Sequence, residues 1–436
     1  MVLLVLTGSL CLPQAASSNP PARDPRTGTI RILYVGDCFA YGRTPFNYFK
    51  EEPAFRVAGV PNEYLANPQR AMRLYVPRFY QDHIAKYDAV FLSDAPVTIF
   101  TTQLLSWFKR GVVEGGQGLV MIGGWNSFGG KQPYPSWSGS SVEDVLPVLC
   151  LDGQVWEPGR IFYPLPADET NSFCTSLPWK QSRPFKGMNI VQTREAATVV
   201  MGATQGPKGP LLVYWEVGRG SGMAHTSDLT PGWGEDFMFW EYYPDYVCNL
   251  VYLLTRCQVP QDPDLMHALR TLLHDYHQQR ALVVSLMEFI ERFGANTATI
   301  QKALGRIDEM KQQADRLYGN QDYEAVLAQM DKISTELARI EQDGLRLKNR
   351  ALFWIFVIVA RGLWHADDLR LRRLEPDGQE EALPRGSYDE TREGTKRRGS
   401  RPKHEVKLGP LGSCAVPSPP RRSEHRRKLW CRGRVL

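Results

Sequence analysis

The chain has 436 residues, 43% of them hydrophobic and 11 of them tryptophan, which is room and apolar mass for more than one packed core and too much for a disordered chain. Its net charge of +5 is a property of one end: from Arg361 onward 19 Lys and Arg stand against 11 Asp and Glu, leaving 33 against 36 in the rest. The folded part is therefore slightly acidic, and the overall basic balance is no argument for nucleic-acid binding.

Residues 1–18 read as a signal peptide. Met1 to Leu12 is a largely apolar run, and Pro13 to Ser18 supplies the small residues of a cleavage region. The competing reading is a buried first strand, which Gly8, Pro13 and the Pro-, Ser- and Asn-containing stretch to Pro21 oppose. An exported protein is the expectation. None of the 8 cysteines has CxxC spacing, so no structural zinc site is expected. Cys150 and Cys174 are either a disulfide of an exported domain or two inert buried thiols. Cys248 and Cys257, nine residues apart on one expected helix, lie about 13 Å apart and too far to bridge.

Residues 28–256 alternate strand and helix signals. Thr29 to Val35 is a β-rich run ending at Gly36-Asp37, Phe55 to Val57 is a short second strand, and Asp88 to Ser93 is an apolar run bounded by Asp94 and Pro96. Thr101 or Thr102 caps a helix through Val113, which Gly115-Gly116 closes. Gly118 to Ile122 is a further buried strand opening into Gly123-Gly-Trp-Asn-Ser-Phe-Gly-Gly130, and Ser140-x-x-Glu143 is a capping box. Leu211 to Val217 and Met223 to Thr226, joined by Gly218-Arg-Gly-Ser-Gly222, predict an antiparallel hairpin at one edge of the sheet, and Pro244 opens a helix to about Thr255. The order implies an α/β domain with a mostly parallel, flavodoxin-like sheet flanked by helices.

In such a sheet ligands sit beyond the carboxyl ends of the strands. Those ends offer Gly36-Asp37-Cys38, Ser93-Asp94, Gly123 to Gly130, and His225 to Asp228. Val35-Gly-Asp37, the Gly123 to Gly130 run followed by Val142-Glu-Asp-Val-Leu-Pro-Val148, and Gly218-Arg-Gly ahead of Thr226-Ser-Asp228 and Trp233-Gly234 resemble the glutamine amidotransferase-like family. That family is a branch of the class I glutamine amidotransferase and trehalose-utilisation superfamily. The resemblance covers residues 30 to 256. It implies a catalytic Cys on a tight strand-to-helix turn, activated by a His and a carboxylate. Here the turn reads Gly124-Trp125-Asn126-Ser127-Phe128 and contains no Cys. It also implies a membrane-associated setting, since relatives often accompany membrane-anchored segments.

Each candidate has two readings. Ser127 is a nucleophile without a G-x-S-x-G frame, or a cap. His225 with Asp228 occupies the place of the later catalytic pair, or is a hairpin-end hydrogen-bonding pair. Asp37, after Gly36, meets a ligand or a loop amide. Cys38 faces the pocket or is a small core residue. Trp125 is a flat surface for a sugar or other ring, or core. Asn126 donates to an anion at a helix start or caps that helix. The ligand-binding set is Gly36, Asp37, Trp125, Asn126, Ser127 and Asp228. His267, His274 and His277 share helical spacing but no acidic motif partner, so neither a metal nor a cofactor is expected.

Residues 263–349 carry three sets of apolar residues at three- and four-residue spacing, Leu265 to Ile290, Ile300 to Leu317 and Tyr323 to Leu347, with a break at Gly319-Asn320. They predict three amphipathic helices forming a coiled-coil or bundle stalk. Residues 351–360 are ten consecutive apolar residues, about 15 Å of helix and half of a bilayer's need. Arg361 is expected to end them, with 361–436 disordered and basic; a shifted reading frame would produce such an abrupt loss of pattern. The resulting expectation is an amidotransferase-like domain without glutaminase chemistry, exported and membrane-anchored, binding a small molecule or an envelope partner. The rivals are a hydrolase of the same fold with a non-Cys mechanism and a scaffold that self-associates through its helices.

Overall fold

The computed structural model describes residues 19–38, 42–61, 68–156, 161–204 and 209–372. The predicted leader, 1–18, and the tail beyond 372 lie outside the described residues. In chain order come β1 (Ile30–Gly36), α1 (Pro45–Glu51), β2 (Phe55–Pro61), α2 (Pro68–Tyr75), α3 (Tyr80–Lys86), β3 (Ala89–Ser93), α4 (Thr102–Val113) and β4 (Gly118–Ile122). There follow β5 (Val148–Trp156), β6 (Pro164–Pro166), α5 (Ser172–Thr175), β7 (Met188–Thr193), β8 (Thr198–Ala203), β9 (Pro210–Val217), β10 (Gly220–His225) and α6 (Tyr243–Leu254).

Among the described residues the main sheet has the order β2-β1-β3-β4-β10-β9-β8-β6. The first five strands are parallel neighbours, the doubly wound order in which the chain reverses direction across the sheet between β1 and β3. β9, β8 and β6 extend it antiparallel. The hairpin expected at an edge thus lies inside, with β8 and β6 beyond it. β5 and β7 form a separate antiparallel pair.

Period-two alternation decides which side chain goes to which core. Ile30, Ile32 and Tyr34 of β1 pack with α1 and α6 on one face, while Leu33 and Val35 pack with Leu104, Phe108 and Val112 of α4 on the other. Burial on both faces explains the uninterrupted apolar runs of β3 and β4. The Thr101 side chain accepts the Leu104 N–H at 3.2 Å, the predicted cap. Cys150 and Cys174 are both buried and unbridged, so the candidate disulfide is absent.

The helical part is α7 (Pro263–Glu291), α8 (Ala298–Gly319) and α9 (Tyr323–Arg372). Their apolar stripes meet in a third core built on Leu269, Leu273, Ile307, Met330, Ile333 and Leu337. The expected stop at Arg361 does not occur: α9 runs on to Arg372, because isolated charges and one Gly are tolerated inside a helix.

Candidate ligand-binding site

At the switch point between β1 and β3 the chain brings three carboxylates together. Asp37 follows β1, Asp94 follows β3, and Asp228 follows β10 after two residues. With Arg43, Trp125, Thr230 and Trp233 they line a cavity of about 600 Å³, a size suited to a small-molecule ligand.

Two glycines make the convergence sterically possible. Gly36 has φ +123°, and a Cβ there would lie 1.7 Å from the Ser93 carbonyl oxygen. Gly124 has φ +154°, and its Cβ would lie 2.3 Å from Asp94 Oδ1. Asp94 itself is left-handed at φ 46°, a conformation that Asp tolerates better than most residues and that clusters at functional sites. Its carboxylate is held by the backbone N–H of Asn126 at 2.6 Å and by Asn126 Nδ2 at 3.4 Å.

Asp228 Oδ1 accepts from the Thr230 N–H at 2.8 Å and the Thr230 hydroxyl at 2.7 Å. That hydroxyl is also 3.3 Å from Asp37 Oδ2; it has one proton, and the shorter contact takes it. Burial pushes the Asp228 carboxyl up to about 6 against the hydrogen bonds of Thr230, with the charge of Asp94 adding to the rise. Burial also raises Asp94, opposed by its Asn126 bonds.

The turn after β4 differs from the expected strand-to-helix turn. Residues 124–130 form successive turns with no helix after them, so there is no helix N-terminus for Asn126 or Ser127 to cap or to lend to an anion. Asn189, buried on β7, staples the turn: its Oδ1 accepts the Gly124 N–H at 3.0 Å, and its Nδ2 donates to the carbonyls of Gly124 at 3.0 Å and Ser127 at 3.2 Å. Ser127 is buried and its hydroxyl donates to the Ile122 carbonyl at 2.6 Å, away from the cavity lining.

His225 and Asp228 are not a pair. The imidazole Nδ1 lies 2.7 Å from the Ser227 carbonyl, to which it donates, and the ring packs edge-on against Phe185 and Tyr246. Burial pulls its pKa down to about 4, so it is neutral, and it is outside the cavity lining. Cys38 belongs to the core beneath Gly59. Trp125 stands at the rim, 44% exposed, its ring stacked on Tyr134 at 5.9 Å with Lys131 Nζ 4.8 Å from its centroid. Of the predicted set, then, Asp37, Trp125 and Asp228 line the cavity; Gly36 and Asn126 shape it; Ser127 does neither. Asp94, Arg43, Thr230, Trp233 and Asn189 were not in that set. Asp94 had a sequence signal, a polar residue closing an apolar strand.

The three stalk histidines line a second cavity of about 1140 Å³ between α7 and the α/β domain. His267 Nδ1 is 2.8 Å from Asp245 and His274 Nδ1 is 2.8 Å from Glu51. Between them the buried Arg270 bonds Glu52 at 2.9 Å and Asp245 at 2.8 Å. Among the described residues no group of three or more His, Cys, Asp or Glu could hold a metal ion.

Residues 76–256 match the family described as "GATase1_like: Putative glutamine amidotransferase". Over those residues the chain is similar to a glutamine amidotransferase-like domain. The sheet begins before the matched residues, at β1, and Asp37 directly follows that strand. Two solved structures are similar to the chain. "Cytoplasmic Protein STM1381 from Salmonella typhimurium LT2" is 21% identical, with 52% of this chain and 100% of that chain covered and a TM-score of 0.44. "Cytoplasmic Protein STM3548 from Salmonella typhimurium" is 23% identical, with the same coverage of 52% and 100% and a TM-score of 0.45. No curated protein matches the chain. Contrary to the expected membrane anchor, among the described residues no helix is long and apolar enough to cross a membrane.

Proposed function

We propose that the amidotransferase-like domain binds a small ligand rich in hydrogen-bond donors, amines or hydroxyls, in the cavity over Asp37, Asp94 and Asp228, and that it is not a glutaminase. The observation that carries this reading is the composition of the lining: three carboxylates converge there, while among the described residues neither a thiol nor an imidazole does. Carboxylates are acceptors, and a cavity holding three of them with one guanidinium is matched by a donor-bearing ligand rather than by an anion. Trp125 and Trp233 add flat apolar surface of the kind that orients a ring or an alkyl chain.

The test is thermal denaturation of the full chain against a panel of small amines and polyols. A member of the panel raises the transition temperature of the native protein, and Asp228→Asn abolishes the rise. A panel that leaves the transition unmoved, or a rise that Asp228→Asn leaves intact, contradicts the reading.

A second reading is favoured by one observation: a buried carboxyl raised to about 6, beside other carboxylates, can act as a general acid. Under that reading the bound ligand is turned over, with a rate that falls as Asp228 loses its proton above about pH 6.

A further inference from the structure

α9 outruns its neighbours. The bundle ends near Gly344, where a Cβ would come within 2.8 Å of Leu286 on α7 and 3.8 Å of Ile300 on α8, and Leu347 is the last side chain of the helical core. The helix continues for about 25 residues past Leu347, close to 40 Å. On this overhang Leu352, Phe353, Trp354, Phe356, Ile358 and Val359 are exposed, Phe356 to 72%; Leu363 and Trp364 follow at 64% and 85%. Arg361 is the one charge between residues 351 and 364.

A helix that is apolar on every side does not persist in water without a partner. Eight large side chains, the four aromatic ones worth roughly 150–250 Å² each and the four aliphatic ones less, are more than half exposed on average and present on the order of 800 Å² of apolar surface. That exceeds the roughly 300–600 Å² patch of an ordinary monomer and equals the ~800 Å² that each partner contributes to a standard interface. We propose that the overhang is a self-association helix whose partner is the same segment of a second copy of this chain. The surface is self-complementary, as a two-fold contact requires: apolar meets apolar on each side, with no charge pattern to set a different partner. It also continues the stripe by which α9 already packs on α7 and α8, so the contact extends an existing helical core. The lone Arg361 sits beyond the ten-residue apolar run, where its long stem can carry the charge to solvent.

The experiment is sedimentation velocity on the full chain over a range of concentrations without detergent, alongside the double variant Phe356→Asp with Ile358→Asp. Both substitutions lie outside the bundle core, and the melting transition of the variant serves as the check that the fold is intact. The expected result is a species of two or more times the 49.5 kDa chain mass, with a dissociation constant raised at least ~100-fold in the variant. A chain that is monomeric at every concentration overturns the proposal, as does an assembly that the double substitution leaves unchanged. Flotation of a monomeric chain with phosphatidylcholine vesicles would overturn it in favour of a lipid surface.

Discussion

Asp228 is held in place at an energetic cost that pH can reveal. Its folded pKa of about 6 lies above the ordinary 3.8, so the native state holds this proton more tightly than the unfolded chain. Stability from this group is therefore greatest below pH 3.8 and is lost as pH rises through about 6, by up to about 3 kcal/mol. Asp228→Asn keeps an acceptor for Thr230 and removes the charge. It is predicted to stabilise the protein by about 1–3 kcal/mol at about pH 8 and by nearly nothing at about pH 4, measured by urea denaturation at both. Gly124→Ala is predicted to cost about 2–4 kcal/mol in the same assay, since its Cβ would collide with the Asp94 carboxylate at a backbone angle that L residues rarely adopt. Asp37, Trp125 and Asp228 were legible because strand ends can be read from apolar runs. Ser127 and Asn126 were misplaced because the sequence after β4 contains no signal that a run of turns replaces a helix. Thr230 and Arg43 reach the cavity from loops, whose paths composition does not determine.

At the scale of elements, the junction between α7 and the α/β domain rests on buried charge. Arg270 bridges Glu52 of the α1–β2 connection and Asp245 of α6, and truncating it leaves the buried Glu52 without a cation and Asp245 with His267 alone. Arg270→Ala is predicted to destabilise the protein by about 3–5 kcal/mol and to speed amide exchange in α7 before other elements. His267 adds a pH-dependent contact. The hydrogen bond to Asp245 raises its pKa against burial, so its contribution is complete below the ordinary 6.5 and is lost as pH rises through the higher folded value. Exchange at the start of α7, corrected for intrinsic rate, should therefore quicken above neutral pH in the native protein and be pH-independent in His267→Gln. The helices themselves were readable from three- and four-residue spacing, and the Thr101 cap from its residue type. The continuation of α9 past Arg361 was not, because a charge signals solvent rather than a helix end, and the segment after it has neither the Pro nor the left-handed Gly that most clearly signal one.

For the whole molecule, the parallel half of the sheet was legible because strand and helix alternate there and each strand is an apolar run. The antiparallel strands beyond the predicted hairpin were not: Pro164–Pro166 is only three residues long and Thr198–Ala203 lacks a clear alternation, and they become strands by adding in turn to the edge that β9 presents. The central claim is that the crevice at the switch point is a carboxylate-lined ligand site and not a glutaminase site. Glutamine-dependent ammonia release by the full chain, before and after alkylation with iodoacetamide, tests it most directly. The account predicts no release above a heat-denatured control in either state; release that alkylation abolishes would contradict it.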